Sequence, residues 1–272
     1  MPSVRTIVFS GLVLLALGAG APPSVRLPEP PPEPLRYEPV AVDGGTVLAD
    51  DPAGTGRVVQ ALGDVDDADH IAVVVPGTGQ NRDNFRTNGS ADDSAVPLAN
   101  GRALYREARL RDPDAKVAVV VWLGYQPPQM FDPRAAVNGQ AAVGADELAR
   151  FRTRLPADAH VTLVCHSYGT VVCGRAATRP GVADDVVALA SPGMGVDRAA
   201  DIRADVWATR TEDDWIRLVP GVRAGSMGHG ADPMAPEFGA RTFDPGTING
   251  HSSYYTPGSD ALATTARVVL GA

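Results

Sequence analysis

Lysine is almost missing from this chain: of its 24 basic residues only Lys116 is a lysine. That is a compositional bias, not chemistry. No basic run occurs anywhere and the net charge is −8, which excludes nucleic acid as a partner. Cysteine is scarce as well, with two residues, Cys165 and Cys173. Two thiols without further ligands nearby are too few for a zinc site, and neither stands directly after the N-terminal apolar run, which excludes a lipobox-type lipid anchor. "GTGQNR" lacks both phosphate-loop spacings, and no internal repeat is evident. No cofactor and no metal are expected.

The N-terminus has its own layout. "MPSVRTIVFSGLVLLALGAGA" carries Arg5, an apolar run from Ile7 to Leu17 and small residues at Ala19 and Ala21. This is the pattern of a secretory signal peptide, assigned to residues 1–21. The run is shorter than the ~20 residues of a transmembrane helix. Seven prolines between Pro22 and Pro34 favour an extended segment, so 22–36 reads as a linker and 37–272 as the folded domain. The expected location is secreted or at the cell envelope, with envelope association as a partner expectation.

From Tyr37 onward the chain alternates. "PVAVDGGTVLADDP" and "GRVVQALGD" read as two strands. "HIAVVVPGTG", "AKVAVVVWLGY", "AHVTLVCHSYG", "DDVVALASPG" and "ADVWATR" are near-continuous apolar runs, the signature of strands covered on both faces. Helical patterns fall at Pro97–Leu110, Arg134–Leu155 and Thr170–Thr178, with a terminal helix in "SDALATTARVVL". Strands alternating with helices predict a mostly parallel central sheet with helices on both faces. Ten residues separate "ASPG" from "ADVWATR", too few for a large cap domain. The glycine-rich segment from Val219 to Ala240 is expected to form a lip.

The chemistry gathers at Cys165-His166-Ser167-Tyr168-Gly169. A serine hydroxyl is a poor nucleophile at neutral pH. It needs a base for its proton, an acid to orient the base and donors for the oxyanion. A strand, a tight turn of small residues and a helix form the elbow that exposes such a serine. His166 neighbours the serine, but adjacent side chains diverge on a tight turn, so its role is structural. In folds built on this elbow the acid follows the serine and the histidine comes last. "TEDDWI" supplies Glu212, Asp213 and Asp214 after a strand. His229 and His251 are the histidines beyond the elbow. His251 lies between the strand-like "ARTF" and the last helix, where the base belongs; His229 falls beside the cleft. The oxyanion hole combines the N–H of Tyr168 with one from the "VVVPGTGQ" loop, Thr78 or else Gly79.

The motifs "VVVPGTG", "WLGYQPP", "CHSYGTVV", "ASPGMGV", "DDWI", "GHGADPMAPEFGARTF" and "HSSYY" occur in order. Over roughly residues 45 to 270 the chain thereby resembles the DUF1023 (alpha/beta hydrolase 8) family. The resemblance implies an α/β-hydrolase fold, Ser167 as nucleophile and His251 as the final histidine. It selects Asp214 as the acid, with Trp215 where the family has proline. The broader spacing, with an aliphatic residue three positions after the acid, selects Asp213 instead. Cys165 stands where the family has glycine. The family fixes no substrate.

The helix after an elbow runs back along its strand, which brings Cys173 over Cys165. In an oxidising compartment an even cysteine count favours a disulfide; two buried thiols are the alternative. The leading expectation is an exported serine hydrolase acting on a small-molecule or lipid carboxylic ester through Ser167, Asp214 and His251. An acyltransferase using the same groups, or a non-catalytic envelope protein on the same fold, are the alternatives.

Overall fold

The valine-rich runs pair edge to edge into one sheet. In the computed structural model, residues 33–90, 92–225 and 227–271 are described; the expected signal peptide and most of the expected linker lie outside them. In chain order the strands and helices are β1 Val40–Val42, β2 Gly45–Asp51, β3 Arg57–Leu62, β4 His70–Val75, α1 Pro97–Arg111, β5 Val117–Leu123, α2 Gly139–Arg152, β6 His160–His166, α3 Gly169–Ala176, β7 Asp185–Leu189, β8 Asp205–Thr209, β9 Arg223–Ala224, β10 Met227–Gly228, β11 Arg241–Thr242 and α4 Asp260–Val269. The sheet has nine strands in the order β1-β2-β3-β5-β4-β6-β7-β8-β11. Every pairing from β5 to β11 is parallel, and the β1–β2, β2–β3 and β3–β5 pairings are antiparallel. β9 and β10 form a separate hairpin.

Period-two alternation divides the apolar runs between two cores. Ile71, Val73 and Val75 face one side with Ala118, Val120 and Trp122, packed with Leu148 and Phe151 of α2 and Val171 and Val172 of α3. Ala72 and Val74 face the other with Val119, Val121 and Leu123, packed with Leu98 and Leu104 of α1 and Ala261 and Leu262 of α4. β4 and β6 are neighbours, yet the helix after β4 lies on one face and the helix after β6 on the other. The chain parts at their carboxyl ends and leaves a crevice there, the usual place for a ligand in an open parallel sheet.

Three local features depart from the sequence expectations. "PVAVDGGTVLADDP" is a hairpin and not one strand: Gly44 and Gly45 sit at φ 79° and 146°, which an L side chain resists. The helix expected over Arg134–Leu155 is interrupted. A 3-10 turn at Pro133–Ala136 ends, Val137 is extended and bridges Met227, and α2 begins at Gly139. Packing also begins ahead of Tyr37: Leu35 is buried in the α2 and α3 core, and Arg57 donates to the Glu33 carbonyl at 2.9 Å.

Cys165 and Cys173 are joined by a disulfide, with 6.6 Å between their Cα atoms. It ties the end of β6 to the second turn of α3. Where a glycine would let strand and helix approach, two bonded sulfurs fill the gap. Replacing both cysteines with alanine is expected to cost roughly 2–3 kcal/mol of stability, from the short loop the bond closes in the unfolded chain. Urea unfolding of the double variant against the parent measures this. An equal midpoint in both would mean the bond adds no stability.

Candidate active site

Ser167 directly follows β6 with φ 54°, a left-handed conformation that a non-glycine residue holds only under constraint. The constraint is visible. The Ser167 N–H donates to the Leu189 carbonyl at 2.9 Å. The Ser167 carbonyl accepts from the Thr170 N–H at 2.9 Å and from the Thr170 hydroxyl at 2.7 Å. The turn also needs glycine on two sides. A Cβ on Gly169 would lie 2.4 Å from the Val75 carbonyl oxygen, and one on Gly77 would lie 2.8 Å from the Ser167 Cβ. The loop after β4 therefore presses directly on the serine turn.

Two distant segments meet Ser167. His251 lies 2.9 Å from the Ser167 Oγ through Nε2, and 2.8 Å from the Asp214 Oδ1 through Nδ1. Asp214 is fully buried after β8. Its carboxylate also accepts from the Ile216 N–H at 2.9 Å and from the Tyr254 hydroxyl at 2.8 Å, and that hydroxyl accepts from the Thr211 N–H at 3.0 Å. Burial alone would raise the Asp214 pKa; the bonds from His251, Ile216 and Tyr254 outweigh it and hold the group below the usual carboxylate value. With Nδ1–H donating to Asp214, the Nε2 lone pair faces the serine hydroxyl. This tautomer is assigned from the partners.

Asp213 points elsewhere. It accepts from the Gly250 N–H at 2.9 Å, so it holds the loop that carries His251 and does not touch the imidazole. Burial pushes the Tyr254 hydroxyl above its ordinary value, which keeps it a donor to Asp214. Nothing in the sequence pattern marks Tyr254 for this role. "HSSYY" places it three residues after His251, but only the fold turns it under Asp214.

His166 packs against His251 with ring centroids 4.8 Å apart, and its Nε2–H donates to the His251 carbonyl at 2.5 Å. Burial first, then the neighbouring imidazole, lower its pKa from 6.5 to about 4. The native state therefore keeps His166 neutral while an unfolded histidine takes a proton below about pH 6.5. Stability from this group is full above pH 6.5 and is lost as pH falls toward 4. His166 is only partly buried and lines the cleft, which trims the effect to on the order of 2 kcal/mol. Urea unfolding across that window should show a shallower pH slope in His166→Gln than in the parent; equal slopes would refute it.

On the opposite wall, the Gly79 N–H donates to the Pro128 carbonyl at 2.9 Å. It is thereby committed to the loop after β5, which leaves Thr78 as the donor candidate of the pair. Thr78 and Tyr168 both line the cleft beside Ser167. The Tyr168 side chain turns away: its hydroxyl donates to the Val137 carbonyl at 2.8 Å and accepts from the Ala141 N–H at 3.2 Å. Burial raises its pKa to about 12.

His229 does not reach Ser167's partners. Its ring nitrogens lie 2.9 Å from Asn138 Oδ1 and 2.9 Å from the Ala135 carbonyl, while Asn138 Nδ2 donates to the Gly228 carbonyl at 2.7 Å. His229 and Asn138 thus fasten the β9–β10 hairpin to the segment before α2, as one lip of the cleft. Burial lowers the His229 pKa. The role of Asn138 was not legible in the sequence. The cleft is about 860 Å³, floored by Ser167, His166 and His251 and walled by Pro76, Met130 and Trp215, among others. Among the described residues no group of three or more His, Cys, Asp or Glu side chains is placed to hold a metal ion.

A family model described as alpha/beta hydrolase matches residues 51–224. An uncharacterized protein of Mycobacterium tuberculosis is 31% identical over 252 residues, covering 80% of this chain and 37% of that protein. An uncharacterized protein of Mycobacterium bovis is 32% identical over 180 residues, covering 62% of this chain and 65% of that one. The chain thus spans little more than a third of the length of the first of these relatives. Among solved structures, a predicted CIB-like hydrolase from Thermoplasma acidophilum is similar at TM-score 0.49 and 13% identity, covering 88% of this chain and 99% of that one. The esterase PE8 is similar at TM-score 0.46 and 18% identity, covering 78% and 96%.

Proposed function

The chain belongs to the alpha/beta hydrolase family, and from that premise we propose that it is an exported serine hydrolase that cleaves carboxylic esters, lipid esters included. The observation that carries the proposal is the unbroken hydrogen-bond relay of Ser167 Oγ, His251 and Asp214 at 2.9 and 2.8 Å. Export rests on the N-terminal sequence alone.

In the proposed reaction His251 Nε2 takes the Ser167 proton as Oγ bonds to the ester carbonyl carbon. The carbonyl oxygen becomes an oxyanion, held by the N–H groups of Tyr168 and Thr78. Asp214 stabilises the imidazolium and keeps its orientation. The intermediate collapses, the C–O bond to the alcohol breaks, and His251 gives the alcohol its proton. Water then attacks the acyl-enzyme carbonyl, His251 takes a proton from it, and collapse releases the acid and returns the proton to Ser167. The ground-state charge of His251 is unchanged at the end of the cycle.

The open cleft supports water as the acceptor. Product analysis with a p-nitrophenyl ester, in buffer and with an added alcohol, tests this choice. Free acid as the main product in both supports hydrolysis. An acyl ester of the added alcohol as the main product would assign acyl transfer instead. No p-nitrophenol release from the folded protein under either condition would point to a non-catalytic member of the fold.

A further inference from the structure

Among the described residues nine large apolar side chains are exposed, and six of them lie on segments that border the cleft: Met130, Phe131 and Trp215, which line it, and Leu218, Val222 and Met227 close by in the chain or its pairing. Each is more than half exposed, Phe131 98% and Leu218 77%. Isolated apolar residues on a surface need no explanation, but a contiguous set around a site does.

The segments bearing the six are fastened to one another or to the cleft wall. Met130 and Phe131 precede the 3-10 turn at Pro133–Ala136. Val137 bridges Met227, and Asn138 and His229 clasp the same junction. Trp215 and Leu218 belong to the 3-10 turn Trp215–Leu218, whose next residue, Val219, lines the cleft. Val222 lies against the hairpin: a Cβ on Gly228 would meet its carbonyl oxygen at 2.1 Å. Met130, Phe131 and Trp215 also line the cleft that ends at Ser167. Met130, Phe131 and Trp215 thereby carry apolar surface from the exposed rim into the cleft.

The charged groups beside the patch are engaged within the chain, Arg217 of the rim turn through a bond to the Glu212 carbonyl and the others through ion pairs. Asp132 pairs with Arg134 at 2.6 Å and Arg223 with Asp197 at 3.0 Å, and the chain as a whole carries −8. Nothing in that balance draws an anionic surface. We propose that this rim docks on an uncharged or zwitterionic lipid surface, so that a long acyl chain passes from the lipid into the cleft without crossing water. Docking of this kind scales with the apolar area inserted. The docking itself stands apart from the proposed ester hydrolysis; only the fate of the acyl chain inside the cleft rests on that reading.

Tryptophan emission tests the rim itself. The three tryptophans are Trp122, Trp207 and Trp215; Trp122 is fully buried and Trp215 is on the rim. None lies in the apolar N-terminal stretch, so that stretch cannot produce the signal. The full chain carrying Ser167→Ala is titrated with phosphatidylcholine vesicles brominated in the acyl chains. Because this variant has no nucleophile, the outcome is independent of turnover. The expected result is a blue shift and quenching that Trp215→Phe removes, with apparent affinity falling roughly tenfold or more in Leu218→Asp/Val222→Asp. The far-edge control Val40→Asp/Val42→Asp should bind as the parent does. Unchanged emission although the chain co-sediments with vesicles would overturn the proposal, as would equal quenching in the rim variant. A dimer that the rim variant dissociates, without any vesicle effect, would assign the patch to a second copy of the chain and also overturn it.

Discussion

Ser167→Ala is expected to lower ester turnover by about 10⁵-fold or more while leaving the fold intact. The size comes from what the hydroxyl does in the proposed reaction. Without Oγ no acyl-enzyme forms, and His251 has no proton to take. Donors at Tyr168 and Thr78 can still polarise a bound carbonyl, so a small residual rate over water is expected. The alanine should also be tolerated structurally. The strained turn is held by backbone bonds from the Ser167 N–H and carbonyl, which the substitution leaves in place. Steady-state turnover of a p-nitrophenyl ester, with thermal unfolding as the check on folding, measures this. Turnover within tenfold of the parent would remove Ser167 from the chemistry.

The second large effect separates two neighbouring carboxylates. Asp214→Asn is expected to lower turnover by about 10⁴-fold, because a neutral amide neither secures the productive imidazole tautomer nor stabilises the imidazolium. Asp213→Asn is expected to cost less than about tenfold, since an amide oxygen can still accept the Gly250 N–H. Its effect should be on the His251 loop and not on proton transfer. The pair of variants, assayed side by side, gives opposite rankings for the two assignments. A large loss in Asp213→Asn with Asp214→Asn nearly unaffected would exchange their roles.

These two aspartates also show where sequence reasoning stops. The two lie at the end of a turn closed by the Asp214 N–H on the Thr211 carbonyl at 3.3 Å, which leaves one facing the interior and the other facing water. Composition and spacing do not say which. The path of the chain after β8 decides it: Asp214 starts a 3-10 turn and accepts the Ile216 N–H. The strands were legible for a different reason. Runs such as "HIAVVV" and "VAVVVWL" are apolar at almost every position, which only burial on both faces tolerates. The elbow was legible because a strand, a small-residue turn and a helix are local features.

What the sequence hid is tertiary. The break between the 3-10 turn and α2 arises because Val137 pairs with Met227, ninety residues away. Alanine-rich sequence on both sides favours helix, and a long-range bridge overrides it. The clasp at His229 likewise depends on Asn138, and Tyr254 depends on the turn that carries it beneath Asp214. Each is a contact between distant segments through an ordinary side chain, with no local pattern to announce it. The disulfide falls between these cases. Its spacing made it readable, since a helix returning over its strand brings residues eight apart into reach.

The central claim is that Ser167 is an activated nucleophile. Incubation of the folded full-length chain with a fluorophosphonate probe, followed by peptide mass mapping, tests it most directly. The predicted result is a single covalent adduct on Ser167, lost on unfolding before labelling and in His251→Ala. No adduct on Ser167 in the folded chain, or equal labelling of the unfolded one, would contradict it.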